Sequence, residues 1–310
     1  MAILQRLLPR FQPAAQHRPR VLSSSAPALR IRWLGTAGHV VSTPTTTVLV
    51  DPYLTRAGFR ELVGALPPDE SVYDAWLPRK VDAILLGHSH FDHLLDAPAI
   101  ARRTNARIVG SKSTLAFARA EGVAEEKLDL VPAEGRTLTI GDLTVTFVPS
   151  LHGRLAFNRV PLPGEAPAQP RVPAPFWHYR MGGAYGVLLR AGGRSIYHNG
   201  SADLIDANVA GERADVLLVG LAGRRATRNY LKRLVDALQP RLLVPTHHDA
   251  FFGPLEDGER LLPGIDLSGF VREAKLRASD ARVITPLYRD EIVVPLEGDA
   301  RDAGVVDWSM

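Results

Sequence analysis

Three histidines and one aspartate fall within six residues at His88-Ser89-His90-Phe91-Asp92-His93. The whole chain has ten histidines, so three in one short stretch is not an ordinary polar loop. Imidazole and carboxylate are good ligands for a borderline dication such as Zn²⁺, and a tight turn at a strand end can aim alternate side chains at one point. Such a strand directly precedes the cluster. Residues 81–87, VDAILLG, form the largely apolar run expected of a strand buried on both faces.

Rival chemistries find little support. The chain has no cysteine, which removes thiolate ligands, cysteine nucleophiles and redox pairs. It has no Walker A loop, no G-x-G-x-x-G and no G-x-S-x-G elbow, so Ser201 has no nucleophile context. The aromatics of an RNA-recognition fold are missing too, and a net charge of +4 is too mild to imply nucleic acid. With 310 residues, 45% hydrophobic and 23% charged, the chain can bury a sizeable core. Five of its 37 basic residues are lysine; the arginines that dominate could make bidentate anion contacts.

The elements that must position the cluster are legible from residue 29 onward. Residues 29–35, 38–42 and 45–51 read as short strands punctuated by Gly35 and Gly38. After the strand at 81–87 come a helix at 97–104, a strand at 107–110 and a helix at 113–121. Strands follow at 137–140, 143–149, 184–190 and 195–200, then strands at 214–220 and 241–248 flanking a helix at 227–239. Hairpins alternating with helices point to two sheets covered by helices, not one doubly wound sheet. Residues 1–28 form a basic arm without an acidic residue, and residues 29–310 a single domain. Within the arm, Ile3, Leu4, Leu7, Leu8 and Phe11 fall at helical spacing, which suits packing on its own domain or a partner subunit, with a transit peptide or an anchor at a membrane surface as alternatives. No run is long and apolar enough for a transmembrane helix, and the expected location is cytoplasmic, with peripheral membrane association as the alternative. Residues 153–183 break the pattern: they hold six prolines and almost no periodicity, and they are expected to form a lid.

The cluster resembles the H-x-H-x-D-H motif of the metallo-β-lactamase superfamily, and three further stretches match that family in order. Asp51, at the end of TTTVLVD, looks like its first motif, an acidic residue supporting the metal cluster without binding it. His152 in VPSLHG and His247 in LVPTH look like the third and last motifs. The resemblance implies an α+β fold, an αββα sandwich of two mixed sheets flanked by helices. It implies a first metal on His88, His90 and His152, and a second on Asp92, His93 and His247. One position departs: where the family carries a bridging aspartate, this chain reads Tyr197-His198-Asn199-Gly200-Ser201-Ala202-Asp203. A serine hydroxyl is a poor ligand for such a cation, so Ser201 predicts closer to one bound metal than two unless Asp203 reaches in.

A metal on three neutral histidines can bring the pKa of its water to about 7, and the metal-bound hydroxide then attacks a carbonyl or phosphoryl centre. Asp92 and His247 are the expected catalytic side chains. Zn²⁺ is the expected ion, one or two per chain, with Mn²⁺ or Fe as alternatives. The opening WLGTAGH, Asp51-Pro52-Tyr53 and the HNGS context are most similar to the branch of ascorbate-6-phosphate lactonase and N-acylphosphatidylethanolamine phospholipase D. They imply a small ester, lactone or phosphodiester substrate. Arg154, His178 and Arg180 are candidate substrate contacts, with Tyr179, Arg224 and Arg225 behind them. His39 is expected in a turn lining the pocket, and His198 and His248 as packing residues. A non-catalytic binding protein, a nuclease and a mononuclear iron dioxygenase are the competing readings.

Overall fold

The computed structural model describes residues 8–11, 13–20 and 27–308. The helix expected near the start of the arm therefore lies largely outside the described residues. Strands β1 (Ala28–Gly35), β2 (Gly38–Ser42), β3 (Thr47–Val50), β4 (Ala83–Leu85), β5 (Arg107–Gly110) and β6 (Leu128–Leu130) build most of the first sheet. The second holds β7 (Arg136–Ile140), β8 (Leu143–Pro149), β9 (Tyr185–Ala191), β10 (Arg194–Asn199), β11 (Val216–Gly220), β12 (Leu242–Thr246) and β13 (Arg282–Val283). The chain then returns as β14 (Asp290–Pro295) and β15 (Gly304–Asp307), and β14 pairs with β1 to extend the first sheet. Both sheets are mixed. β1 to β3 are antiparallel and β3 to β6 parallel; β7 to β10 are antiparallel and β10 to β13 parallel.

Side-chain alternation sorts the residues of each strand between two layers. Leu85, Val41 and Ile31 from one sheet meet Val145, Val187, Leu218 and Val244 from the other in a shared interior. Ile84, Ile108 and Leu49 point the other way, toward α1 (Phe91–Leu94), α2 (Ala97–Thr104) and α3 (Lys112–Ala120). Leu217 and Leu243 likewise face α4 (Tyr230–Leu238) and α5 (Leu267–Arg277). This is the αββα sandwich. Each fully buried aliphatic side chain contributes roughly 1.5–3 kcal/mol, so three such layers dominate the stability.

Helix ends follow local chemistry. The Ser111 hydroxyl accepts from Thr114 N to cap α3, which starts one residue before the expected span. α4 is shorter than the expected 227–239 because Asn229 and Gln239 both take left-handed backbone, at φ 53° and 46°. α5, β6 and the strands from β13 on carry no strong periodic signal, and the sequence reading missed them.

The described part of the arm lies along its own domain. Phe11 N bonds Glu259 O, Thr285 N bonds His17 O, and Arg18 pairs with Asp290 at 2.6 Å. Among the described residues, no helix is long and apolar enough to cross a membrane.

Candidate metal centre

Three strand ends and one loop converge at the edge where the sheets meet. His88 follows β4, and His90 is the N-cap of α1, whose first turn carries Asp92 and His93. Ser89 fixes this turn by donating from Oγ to Arg180 O (2.6 Å), while its N–H donates to Met181 O. His152 lies just past β8, where Gly153 N donates to Ser201 O at 2.6 Å. His247 ends β12 in a left-handed conformation, φ 52°, with its N–H on Thr36 O at 2.7 Å. Such a conformation is uncommon for a residue with a Cβ and survives only where surrounding bonds hold it.

The side chains form two adjacent triads. His88, His90 and His152 present nitrogens within 4.8 Å of one another, and Asp92, His93 and His247 present ligand atoms within the same span. In the second group Asp92 Oδ2 lies 3.3 Å from His247 Nε2 and 3.9 Å from His93 Nε2. In the first, His152 Nδ1 lies 2.7 Å from Gly153 O and His90 Nε2 lies 3.1 Å from Pro161 O, leaving one nitrogen of each to face the group. His88 Nε2 is buried without any hydrogen-bond partner. An orphaned imidazole nitrogen among two more histidines is what a metal site requires, since a buried polar atom without a partner is costly. The donor set fits a divalent cation.

Electrostatics agree with ligation. Burial, then the neighbouring imidazoles, holds His88 well below the usual histidine range. Burial lowers His90 to about 4 and His152 to about 3, so all three are neutral at pH 7, the form that binds metal. Burial opposes ionisation of Asp92, but His93 and His247 outweigh it and keep the carboxyl well below its ordinary value. Burial likewise lowers His93, yet Asp51 and Asp92 outweigh it and raise it.

Asp51 supports this arrangement from behind. It also has left-handed backbone, φ 45°. Its Oδ1 accepts from Gly87 N at 2.7 Å and its Oδ2 lies 3.0 Å from His93 Nδ1, fixing that ring with Nε2 toward the centre. A Cβ at Gly87 would come within 3.1 Å of Asp51 Oδ2, which is why glycine precedes His88.

The fourth motif is turned elsewhere. Ser201 Oγ donates to Leu151 O at 3.0 Å, and Asp203 Oδ1 accepts from Leu204 N and lies 3.4 Å from Arg233. Asp203 does not reach in: the left-handed Ala202, φ 57°, directs the following residue toward α4.

A cavity of about 310 Å³ opens on the triads, and His90, Asp92, His152 and His247 form part of its wall. Phe91, Phe176, Phe251 and Leu262 supply apolar surface, and Leu155, Pro161, Leu162 and Phe176 come from the Pro-rich segment. That segment is a packed strap. Ala166 N donates to Ser113 Oγ, Leu66 N to Ala174 O, and Tyr179 stacks on Phe117 at 4.3 Å. Of the expected substrate contacts, Arg154 and His178 are exposed, and neither they nor Arg180 belong to the cavity wall. Arg224 and Arg225 do line it; Arg224 is tied to Glu273 at 2.7 Å. His39 sits inside β2, not in a turn, bonded through Nδ1 to Ala37 O and outside the cavity. His198 Nε2 meets the same carbonyl, and His248 stacks on Trp33 at 4.5 Å.

One supporting group has no sequence signature. Asp249 Oδ1 accepts from Thr36 N, and its Oδ2 accepts from Arg56 and Tyr288 at 2.8 and 2.7 Å. Thr36 O in turn takes His247 N, so this buried cluster holds the last histidine in place.

A family model described as a beta-lactamase superfamily domain matches residues 30–247. A UPF0173 metal-dependent hydrolase of Anaeromyxobacter dehalogenans is 32% identical over 231 residues, spanning 71% of this chain and 75% of its own. Another, from Methanopyrus kandleri, is 28% identical over 262 residues, 83% of this chain and 96% of that one. Among solved structures, the metallo hydrolase Igni18 of Ignicoccus hospitalis aligns at TM-score 0.53 and 15% identity, over 91% of this chain and 99% of its own. CmlA, a diiron β-hydroxylase from Streptomyces venezuelae, aligns at TM-score 0.57 and 19% identity, over 89% of this chain and 55% of that one. At these identities the structural matches speak to the fold.

Proposed function

This chain belongs to the metallo-β-lactamase superfamily as a metal-dependent hydrolase, and from that premise we propose that it cleaves a small ester, lactone or phosphodiester at a centre held by His88, His90 and His152. The observation that carries the reading is the buried, partnerless His88 Nε2 facing two further neutral imidazoles. Zn²⁺ suits this all-nitrogen set best, with Mn²⁺ or Fe as alternatives. When bound, the ion supplies a lowered water pKa and polarisation of the scissile carbonyl or phosphoryl oxygen.

The chain's own residues do the rest. Asp92, ionised at neutral pH and lining the cavity, orients the attacking water by accepting its hydrogen bond and passes the proton on to His247. His247, 3.3 Å from Asp92, relays a proton toward the leaving oxygen. Phe91, Phe176 and Phe251 exclude bulk water and strengthen these charge interactions. With a second ion on Asp92, His93 and His247, those side chains become ligands; Ser201, bonded to Leu151 O, offers no bridging carboxylate, which favours single occupancy.

The test is metal content by elemental analysis, with hydrolysis of p-nitrophenyl esters and bis-(p-nitrophenyl) phosphate, for wild type and a His88→Ala/His90→Ala variant. The wild type should carry close to one ion and turn over one of these classes, and the variant should lose both properties. Stoichiometric metal retained by the variant would overturn the assignment.

A further inference from the structure

The rim of the metal cavity exposes large apolar side chains to solvent. Leu151 is 48% exposed, Leu155 46%, Trp177 39% and Phe157 95%, and all four belong to the strap or to the residue just before His152. Phe157 is the extreme case. Its backbone is left-handed at φ 57°, as is that of Asn158 at φ 56°, so the chain adopts a disfavoured conformation and still leaves the ring in solvent. Packing cannot be the reason for this arrangement, because Phe157 makes almost none.

The patch borders the cavity mouth. Leu155, two residues before Phe157, lines the cavity, and so does Phe176, next to Trp177. Leu155 also packs on the turn at Gly223, which leads into Arg224 and Arg225. Around these apolar groups arginines outnumber carboxylates, although Asp266 lines the cavity beside Arg224 and Arg225. Residues 153–183 carry Arg154, Arg159, Arg171 and Arg180 against a single carboxylate, Glu165. Arg154, Arg159 and Arg225 are without a carboxylate partner among the described residues.

We propose that this rim docks on an anionic lipid surface, with Phe157 and Trp177 entering the interface and Arg154, Arg159 and Arg225 meeting the headgroups. Aromatic rings with an apolar body favour the boundary between headgroups and acyl chains, and each nearby arginine adds electrostatic attraction. A protein partner would be expected to meet a shaped recess; Phe157 instead projects from an irregular tip, which suits a fluid surface. Docked this way, the cavity mouth faces the bilayer. The inference rests on the rim alone and holds whichever bond the metal centre cleaves.

The test is co-sedimentation of the full chain with vesicles of phosphatidylcholine alone and of phosphatidylcholine with phosphatidylglycerol. Binding should need the anionic lipid and weaken with salt. Phe157→Ser and Arg154→Glu/Arg159→Glu should each lower the partition coefficient by roughly tenfold or more. Metal content and thermal midpoint should stay unchanged, since these side chains are exposed. Equal binding by wild type and variants overturns the proposal. So does a wild type that ignores anionic vesicles, including one that sediments as a dimer which Phe157→Ser dissociates; the patch would then belong to a second copy.

Discussion

At the scale of single residues, the site is built by suppressing charge on histidines. Burial lowers His90 to about 4 and His152 to about 3, and it also lowers His88, His39, His198 and His248. Unfolded imidazoles titrate near 6.5. Below that pH the unfolded chain takes up protons that the folded, metal-free protein refuses, so stability is present above about pH 6.5 and lost as pH falls toward the folded values. His93 is raised and works in the opposite direction, but it is outnumbered. Chelated protein should therefore melt several degrees lower at pH 5 than at pH 7.5, by scanning calorimetry. Added metal should restore much of the loss by binding only the folded state. A chelated protein whose melting point is flat across that range would show that these histidines are not buried as neutral groups. Ser201 makes a second residue-scale case. Asp at this position would lose the bond to Leu151 O and place a carboxylate beside that carbonyl, driving it toward the cations. Ser201→Asp should raise the second-metal occupancy found by elemental analysis. An occupancy equal to wild type would mean that Asp92, His93 and His247 alone set the second site.

At the scale of elements, the strap walls one side of the cavity, and selection of what reaches the centre is the role expected of it. Its residues are pinned at Ser89, Ser113 and Leu66, and its Pro161 carbonyl touches His90. Replacing residues 158–176 with a short Gly-Ser linker removes Phe176, Pro161 and Leu162 from the wall while sparing every candidate ligand. Metal should stay bound, generic ester hydrolysis should survive, and turnover of the preferred substrate should fall by at least about tenfold. Unchanged kinetics on every substrate would separate the strap from selection. Legibility in the sequence divides at this level. His88 to His93, His152 and His247 were readable because strand periodicity and a compact motif fix both their place and their direction. The buried strands β1 to β5 and β7 to β12 were readable for the same reason. Arg154, His178 and Arg180 show the limit: membership of the irregular segment that begins beside His152 placed them near the site, but side-chain direction in such a segment follows contacts that spacing does not encode. β13 has two residues and β14 opens on two acidic ones, so neither carried a strand pattern.

At the scale of the whole molecule, the two sheets must be held in register where the ligands meet, and Asp249 does this. It joins the turn after β1, through Thr36 N, to the loop after β12, and it gathers Arg56 and Tyr288 from elsewhere in the chain. Arg56 is 193 residues away in sequence, so no local pattern could have paired them. Both charges are buried, with side chains 1% and 0% exposed. Burial pushes the Asp249 carboxyl up, but Arg56 and its other partners outweigh this and hold it below its usual value. Its contribution is therefore complete above about pH 4 and lost as pH falls through the lowered value. Asp249→Ala strands a buried guanidinium, for which the expected cost is about 3–5 kcal/mol by urea unfolding. The same change frees Thr36, whose carbonyl holds His247 N, so metal affinity should fall along with stability. Arg56→Met/Asp249→Leu separates the two effects. Removing both charges together spares the desolvation penalty and should recover most of the unfolding energy, whereas metal affinity should stay low because Thr36 N still lacks its acceptor. If the double variant regained full metal affinity, the pair would act only on stability, and the position of His247 would be set by β12 alone.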